Sequence, residues 1–270
     1  MKQAPAIVGS SIVSVPSDAD ASERRLRHAY WFPPHVYICR VPGGAILLDL
    51  HRNRYLGVGE AEAYALKRYV ANWQYAGPAL DHESPHSGET ESRILDAIAQ
   101  SGLLQSHDAG IGPFAPRVDL CSTLRSLEDL PVSLAPIRAL SALRFLQCCI
   151  WARYALRSSS LYDIACSIHD FGPADSGSIS PSQSDTAHIK LLVQSFRRLR
   201  PYAFAAHDQC LFHALSLTQF LKLHHVRATW IIGVRVRPWA AHSWVQHDDL
   251  ILDGTPESVH GYTPILAVRT

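Results

Sequence analysis

The sequence predicts an α+β fold, and three features lead there. A meander of short β-type runs opens the ordered part of the chain, helical periods fill its middle, and a helix followed by a tightly turned strand pair closes it. The 270 residues, 47% hydrophobic and 18% charged, suffice for about two domains that close their cores without disulfide staples. With 25 Lys and Arg against 24 Asp and Glu, the net charge of +1 offers no footprint for duplex nucleic acid or an anionic membrane.

No apolar run reaches the roughly 18 residues that span a bilayer. The best, Ala142 to Leu156, is interrupted by Arg144, Gln147 and Arg153. The patch from Ile7 to Val15 is too diluted by Gly and Ser for a signal peptide, so a cytoplasmic protein is expected. Cys39, Cys121, Cys148, Cys149, Cys166 and Cys210 form no CxxC pair, which favours buried, reduced thiols over a disulfide or zinc framework. No phosphate-binding glycine loop is present, and no cofactor is expected.

Residues 1–34, rich in Ser, Ala, Pro and Asp, read as a mobile arm that ends at Pro33-Pro34. Three strands follow: Val36 to Cys39, Ala45 to Leu50 after the turn Pro42-Gly43-Gly44, and Arg54 to Val58. Glu60 to Val70 has a helical period through Ala63, Leu66, Lys67 and Val70. After a Pro-containing loop, Gly77 to Glu89, a second helix starts at Thr90 and carries Ile94, Leu95, Ile98 and Leu103. Residues 35–106 thus form one unit, and the Gly- and Pro-rich stretch Gly110 to Pro116 separates it from a second unit, residues 107–270. In that second unit Ser133 to Arg157 is helical, with Leu140, Leu143, Leu146, Ile150, Tyr154 and Leu156 as its expected buried side. A surface loop spans 172–186 and a short basic-faced helix runs from Ile189 to Leu199.

The chemistry concentrates after Ala206. Asp208 is placed to cap a helix whose face is Leu211, Ala214, Leu215, Thr218 and Leu221, which puts Cys210 in the first turn. Unpaired backbone N–H groups there favour a thiolate and offer donors to an oxyanion. A cysteine alone at such a place is more often a buried structural thiol. The strands that follow change the balance. Ala228 to Val236 and His242 to His247 are strand-like, and Asp248-Asp249 turns the chain back as Leu250 to Asp253. If those two aspartates are the loop, His247 faces Leu250, and Asp253 lies diagonally from His242 on one face, about 7–8 Å away at Cα. A thiol's general base needs that arrangement, with one ring nitrogen toward sulfur and the other held by an acceptor. Cys210, His242 and Asp253 supply the groups in order, with Asp249 as a competing acid at the hairpin tip. The rival reading is zinc on His207, Cys210 and His213, but their i, i+3, i+6 spacing drifts around a helix, and no metal is expected.

The segments Cys210-Leu211, Val226 to Thr229, Ile232 to Arg235, Ala240 to Val245 and Leu252 to Gly254 together resemble the lasso peptide biosynthesis B proteins, cysteine peptidases that mature ribosomally made precursors. The resemblance implies a transglutaminase-like fold of the papain-like group, with its triad at Cys210, His242 and Asp253. The first unit resembles the PqqD-like winged-helix precursor recognition element, through Val36 to Cys39, Ile46 to Leu50, Arg54 to Gly57 and Ser101 to Leu104. That resemblance implies a leader peptide paired with the third strand at Tyr55 and Leu56 and packed near Leu95 and Ile98. A helix expected in the family falls on Gly77 to Glu89, where Pro78 and Pro85 oppose it. The implied activity is cleavage at the leader–core junction, for a separate asparagine-synthetase-like cyclase, the C protein, to close the ring. A small pocket beside the nucleophile is implied, with walls unassigned. Acyl transfer to an amine by the same triad, or precursor delivery without catalysis, are the alternatives.

Overall fold

The computed structural model of the chain describes residues 30–70, 88–106, 125–127, 136–169, 183–203 and 210–270. The loop following Tyr69, the Gly110 to Pro116 linker, and most of the 172–186 loop lie outside the described residues, as do Cys121, His207 and Asp208. Among the described residues no helix is long and apolar enough to cross a membrane.

The first unit begins earlier than expected. Strand β1, Tyr30–Trp31, sits inside the anticipated arm, where Phe32 is also buried. The aromatic run Tyr30-Trp31-Phe32 outweighs the prolines after it, because burying a ring of that size contributes roughly 1.5–3 kcal/mol. The expected meander is present as β2 (Val36–Val41), β3 (Gly44–Asp49) and β4 (Arg54–Gly59), paired antiparallel in the order β2-β3-β4. Gly43, at φ 85°, takes the left-handed position after Pro42 that this tight turn requires. Helices α1 (Glu60–Tyr69) and α2 (Gly88–Gln100) follow, and β5 (Gln105–Ser106) returns to pair with β1.

Strand alternation gives this small sheet two covered faces. Val36, Ile38, Ala45 and Leu47 pack with Ala63 and Leu66 of α1 and with Leu95 and Ile98 of α2. Cys39, Val41, Ile46, Leu48 and Leu50 point the other way, into a larger core shared with the second unit. Two backbone hydrogen bonds pin that junction: Tyr162 N–H donates to the Leu50 carbonyl at 3.2 Å, and Leu161 N–H to Asn53 Oδ1 at 3.1 Å.

The second unit surrounds a five-stranded sheet. Strand β6 is Arg125–Ser126, and helices α3 (Ala139–Ser158), α4 (Leu161–Ile168) and α5 (Gln183–Leu199) follow it. Ser160 and Asp163 form a capping box that starts α4. Helix α6 (Cys210–Leu223) leads into β7 (Thr229–Arg235) and β8 (Ala240–His247), then β9 (Leu250–Ile251), α7 (Pro256–His260) and β10 (Thr263–Arg269). The sheet order is β10-β7-β8-β9-β6, with β6 parallel to β9.

The face assigned to α3 is inverted except at Leu156, which packs partly buried against the large core. Ser141, Phe145, Cys148, Cys149, Ala152 and Ala155 are buried, whereas Leu140, Leu143, Leu146, Ile150 and Tyr154 are exposed, Ile150 by 71%. The helix is apolar on both sides, so periodicity alone does not choose between them. Packing does, since α3 lies along α6 and the small side chains at 141, 148, 152 and 155 allow close approach.

Candidate active site

Cys210 is the first residue of α6, half-buried, at the helix end where backbone N–H groups lack intrahelical acceptors. Helix α6 is held there by a long buried face that includes Ala214, Leu215, Leu217, Phe220 and Leu221 in the large core, and it packs on β8.

The hairpin carrying the other two groups forms with the anticipated register: His247 pairs with Leu250 and Gln246 with Ile251, around Asp248 at φ 51°. Asp tolerates that left-handed conformation better than most residues. Beyond Leu252, whose N–H reaches the Val245 carbonyl at 2.9 Å, the ladder stops. Asp253 then replaces a strand carbonyl with its own carboxylate, Oδ1 accepting from Val245 N–H at 2.8 Å. Thr255 then caps α7.

The Asp253 side chain is only 3% exposed, and its other oxygen stands 3.4 Å from Nδ1 of His213, which lies one turn into α6 from Cys210. The carboxylate is thus fixed from two elements, the β8 backbone and α6. Sequence reasoning gave His213 only a metal role, although its position three residues after the cysteine set it on the same inward part of the helix. Among the described residues no group of three or more His, Cys, Asp or Glu is arranged to hold a metal.

His242 packs its ring on Trp244, with centroids 6.1 Å apart, and on Tyr262 at 5.3 Å. Opposite it on β7 stands Gly233, where a Cβ would come within 2.7 Å of the Trp244 ring. Only glycine leaves room for the indole there. Burial lowers the His242 pKa below the ordinary imidazole value of 6.5, and the charge of Asp253 partly opposes that shift. Asp253 therefore acts on His242 through its field. Among the described residues no hydrogen bond joins His242 to Asp253 or to the Cys210 thiol. Asp249, the competing acid, is engaged elsewhere: Arg125 donates Nε at 2.6 Å and Nη2 at 3.0 Å to its carboxylate, fixing β6 to the hairpin tip.

The residues expected to bind a leader divide. β4 is the outer strand of its sheet, and Leu56 there is 39% exposed. Leu95 and Ile98 are buried in the first unit's own core, so they support the sheet from behind instead of presenting a docking surface. Tyr55 points the opposite way from Leu56, toward the second unit, and its ring meets Trp239 edge-on with centroids 5.6 Å apart. Its phenol is pushed up to about 12, first by burial and then by the neighbouring Cys210 and Cys39. No sequence signal located Tyr55 against Trp239, because that placement depends on how the two units pack.

No curated protein and no solved structure matches the chain. Residues 149–267, which run from α3 to β10 in the C-terminal part of a mixed α+β chain and include Cys210, His242 and Asp253, match the transglutaminase-like superfamily.

Proposed function

We propose that this chain is a cysteine peptidase that captures the leader of a lasso peptide precursor and cuts it at the leader–core junction. The observation that carries the reading is a half-exposed cysteine heading a buried helix, inside a transglutaminase-like domain, beside a strand that bears a histidine under the field of a fixed aspartate. His242, neutral at pH 7, takes the thiol proton. The sulfur adds to the scissile carbonyl, the C–N bond breaks as His242 returns the proton to the leaving amine, and water then cleaves the thioester to release the leader as a free acid. The backbone N–H groups at the start of α6, which have no acceptor within the helix, stabilise the oxyanion.

The outer strand β4 supports the recognition step, because an extended leader adds to an open edge through backbone hydrogen bonds. Tethering the leader raises the local concentration of its junction at Cys210. The freed amine passes to an asparagine-synthetase-like cyclase, and the reaction belongs in the cytoplasm, where the precursor is made.

The test is incubation of the purified chain with the short precursor encoded beside it, read by mass spectrometry. Leader release is expected from the parent chain and lost by at least about 1,000-fold in Cys210→Ala, as removal of a covalent nucleophile requires. Undiminished cleavage by that variant removes the nucleophile assignment. An amide-linked adduct in place of the free acid makes the chain an acyltransferase, and binding without any product makes it a delivery module.

A further inference from the structure

The reaction above uses the charge of Asp253 and gives His213 no part, yet the two side chains meet. Oδ1 of Asp253 accepts from Val245 N–H at 2.8 Å, three residues along β8 from His242, and Oδ2 stands 3.4 Å from Nδ1 of His213. The His213 and Asp253 side chains are 8% and 3% exposed, so water serves neither. A carboxylate sealed in this way needs a donor for each oxygen. The β8 backbone supplies one, and the His213 ring faces the other. Because a carboxylate only accepts, the nitrogen turned toward it carries the proton, which makes His213 an Nδ1–H imidazole. The ring packs on Phe196 of α5 with centroids 5.4 Å apart, and that phenyl is itself fully buried. The contact therefore joins the helix headed by the nucleophile to the segment that bears the acid.

We infer that His213 is a positioning residue for the reaction: by turning Nδ1–H to Asp253 it clamps the acid to the cysteine's own helix and keeps the charge that acts on His242 in place. This rests on the peptidase reading for the order of the steps, but the clamp serves any acyl group that Cys210 accepts and is testable without a peptide. His213 lies three residues, close to one turn, after Cys210, so a displacement of α6 carries nucleophile and clamp together. Without the imidazole, Asp253 keeps only the Val245 bond at Oδ1, and its carboxylate turns about that bond away from its present orientation. Loss of His213 thus removes part of what Asp253→Asn removes outright.

The experiment uses p-nitrophenyl acetate, whose activated carbonyl acylates a nucleophilic thiol without peptide recognition. Nitrophenol release is followed across pH, and the acylated peptide is identified by mass spectrometry because Cys166 is also exposed. His213→Leu is expected to slow acylation of Cys210 at least tenfold at pH 7 and to move the acid limb of the rate downward, in the direction of Asp253→Asn. His213→Asn, whose amide nitrogen takes the place of Nδ1, is expected to bring the rate within threefold of the parent and to return the limb. In the double variant His213→Leu, Asp253→Asn the loss should exceed that of Asp253→Asn alone by less than twofold, since both changes act through one charge. A purely structural defect instead lowers the rate at every pH and multiplies with Asp253→Asn, and that outcome, or a His213→Leu rate within twofold of the parent, overturns the inference. The parent chain supplies a check that needs no variant: the imidazole 15N spectrum should show the His213 proton on Nδ1, and a proton on Nε2 alone overturns the clamp. A chain that follows this order with the ester yet releases no leader loses the peptidase reading and keeps the clamp. One that cleaves the leader equally well as His213→Leu loses the clamp alone, and a Cys210 that takes no acyl group removes both.

Discussion

His242 shows how burial and charge divide the control of one imidazole. Burial strips water from the protonated ring and lowers its pKa, while Asp253 favours that same protonated form and pulls the other way. The ring is therefore neutral at pH 7, and the base is lost only as pH falls through a value below 6.5. The same sign holds for stability: the contribution of the neutral ring is complete above 6.5 and is lost as pH falls through the lowered value. The acid limb of kcat/KM for precursor cleavage is expected below 6.5, and Asp253→Asn should move it lower still, since the asparagine oxygen can accept from Val245 N–H but brings no charge. An acid limb that rises in that variant would contradict the assignment. The hairpin behind this site was legible because Asp248-Asp249 leaves one sensible register and strand alternation does the rest. The His213–Asp253 contact was not, since it depends on where α6 lies against the end of β9.

At the scale of elements, α3 separates what a period reveals from what it leaves open. Its apolar positions mark a helix unambiguously, but Leu140, Leu143, Ile150 and Tyr154 on one side and Phe145, Cys148, Ala152 and Ala155 on the other are both coherent stripes. Hydrophobicity favoured the wrong stripe, whereas close approach to α6 required the one with small residues. Two substitutions measure the choice. Ile150→Ser should leave stability within about 0.5 kcal/mol, as for an exposed site. Phe145→Ala should cost about 3–5 kcal/mol, because it empties a position packed against Phe196 with ring centroids 5.1 Å apart. Denaturant unfolding of the two variants decides it, and a larger loss in Ile150→Ser would return the leucine stripe to the core. Strand β10 escaped the sequence reading for a related reason. Thr263 to Arg269 carries a proline and a bulge at its start, which blur an alternation that pairing with β7 makes plain.

Across the whole molecule, the two units were readable separately, yet their union was not. Each has the strand and helix patterns of its own fold, and nothing in those patterns says that one face of the β2-β3-β4 sheet joins the core of the other unit. That shared core changes how the chain should unfold. Leu48 is fully buried on the shared face and is opposite Tyr55, so truncating it removes packing from both sides of the junction at once. Leu48→Ala is expected to cost about 2–5 kcal/mol, which for a chain of this size lowers Tm by about 4–20 °C. Because the small sheet carries the shared core on one face and α1 on the other, the loss should appear equally in the amides of α1 and in those of β7 and β8 when hydrogen exchange is followed through the transition. Independent units would behave differently, with protection falling in α1 while β7 and β8 keep their parent midpoint.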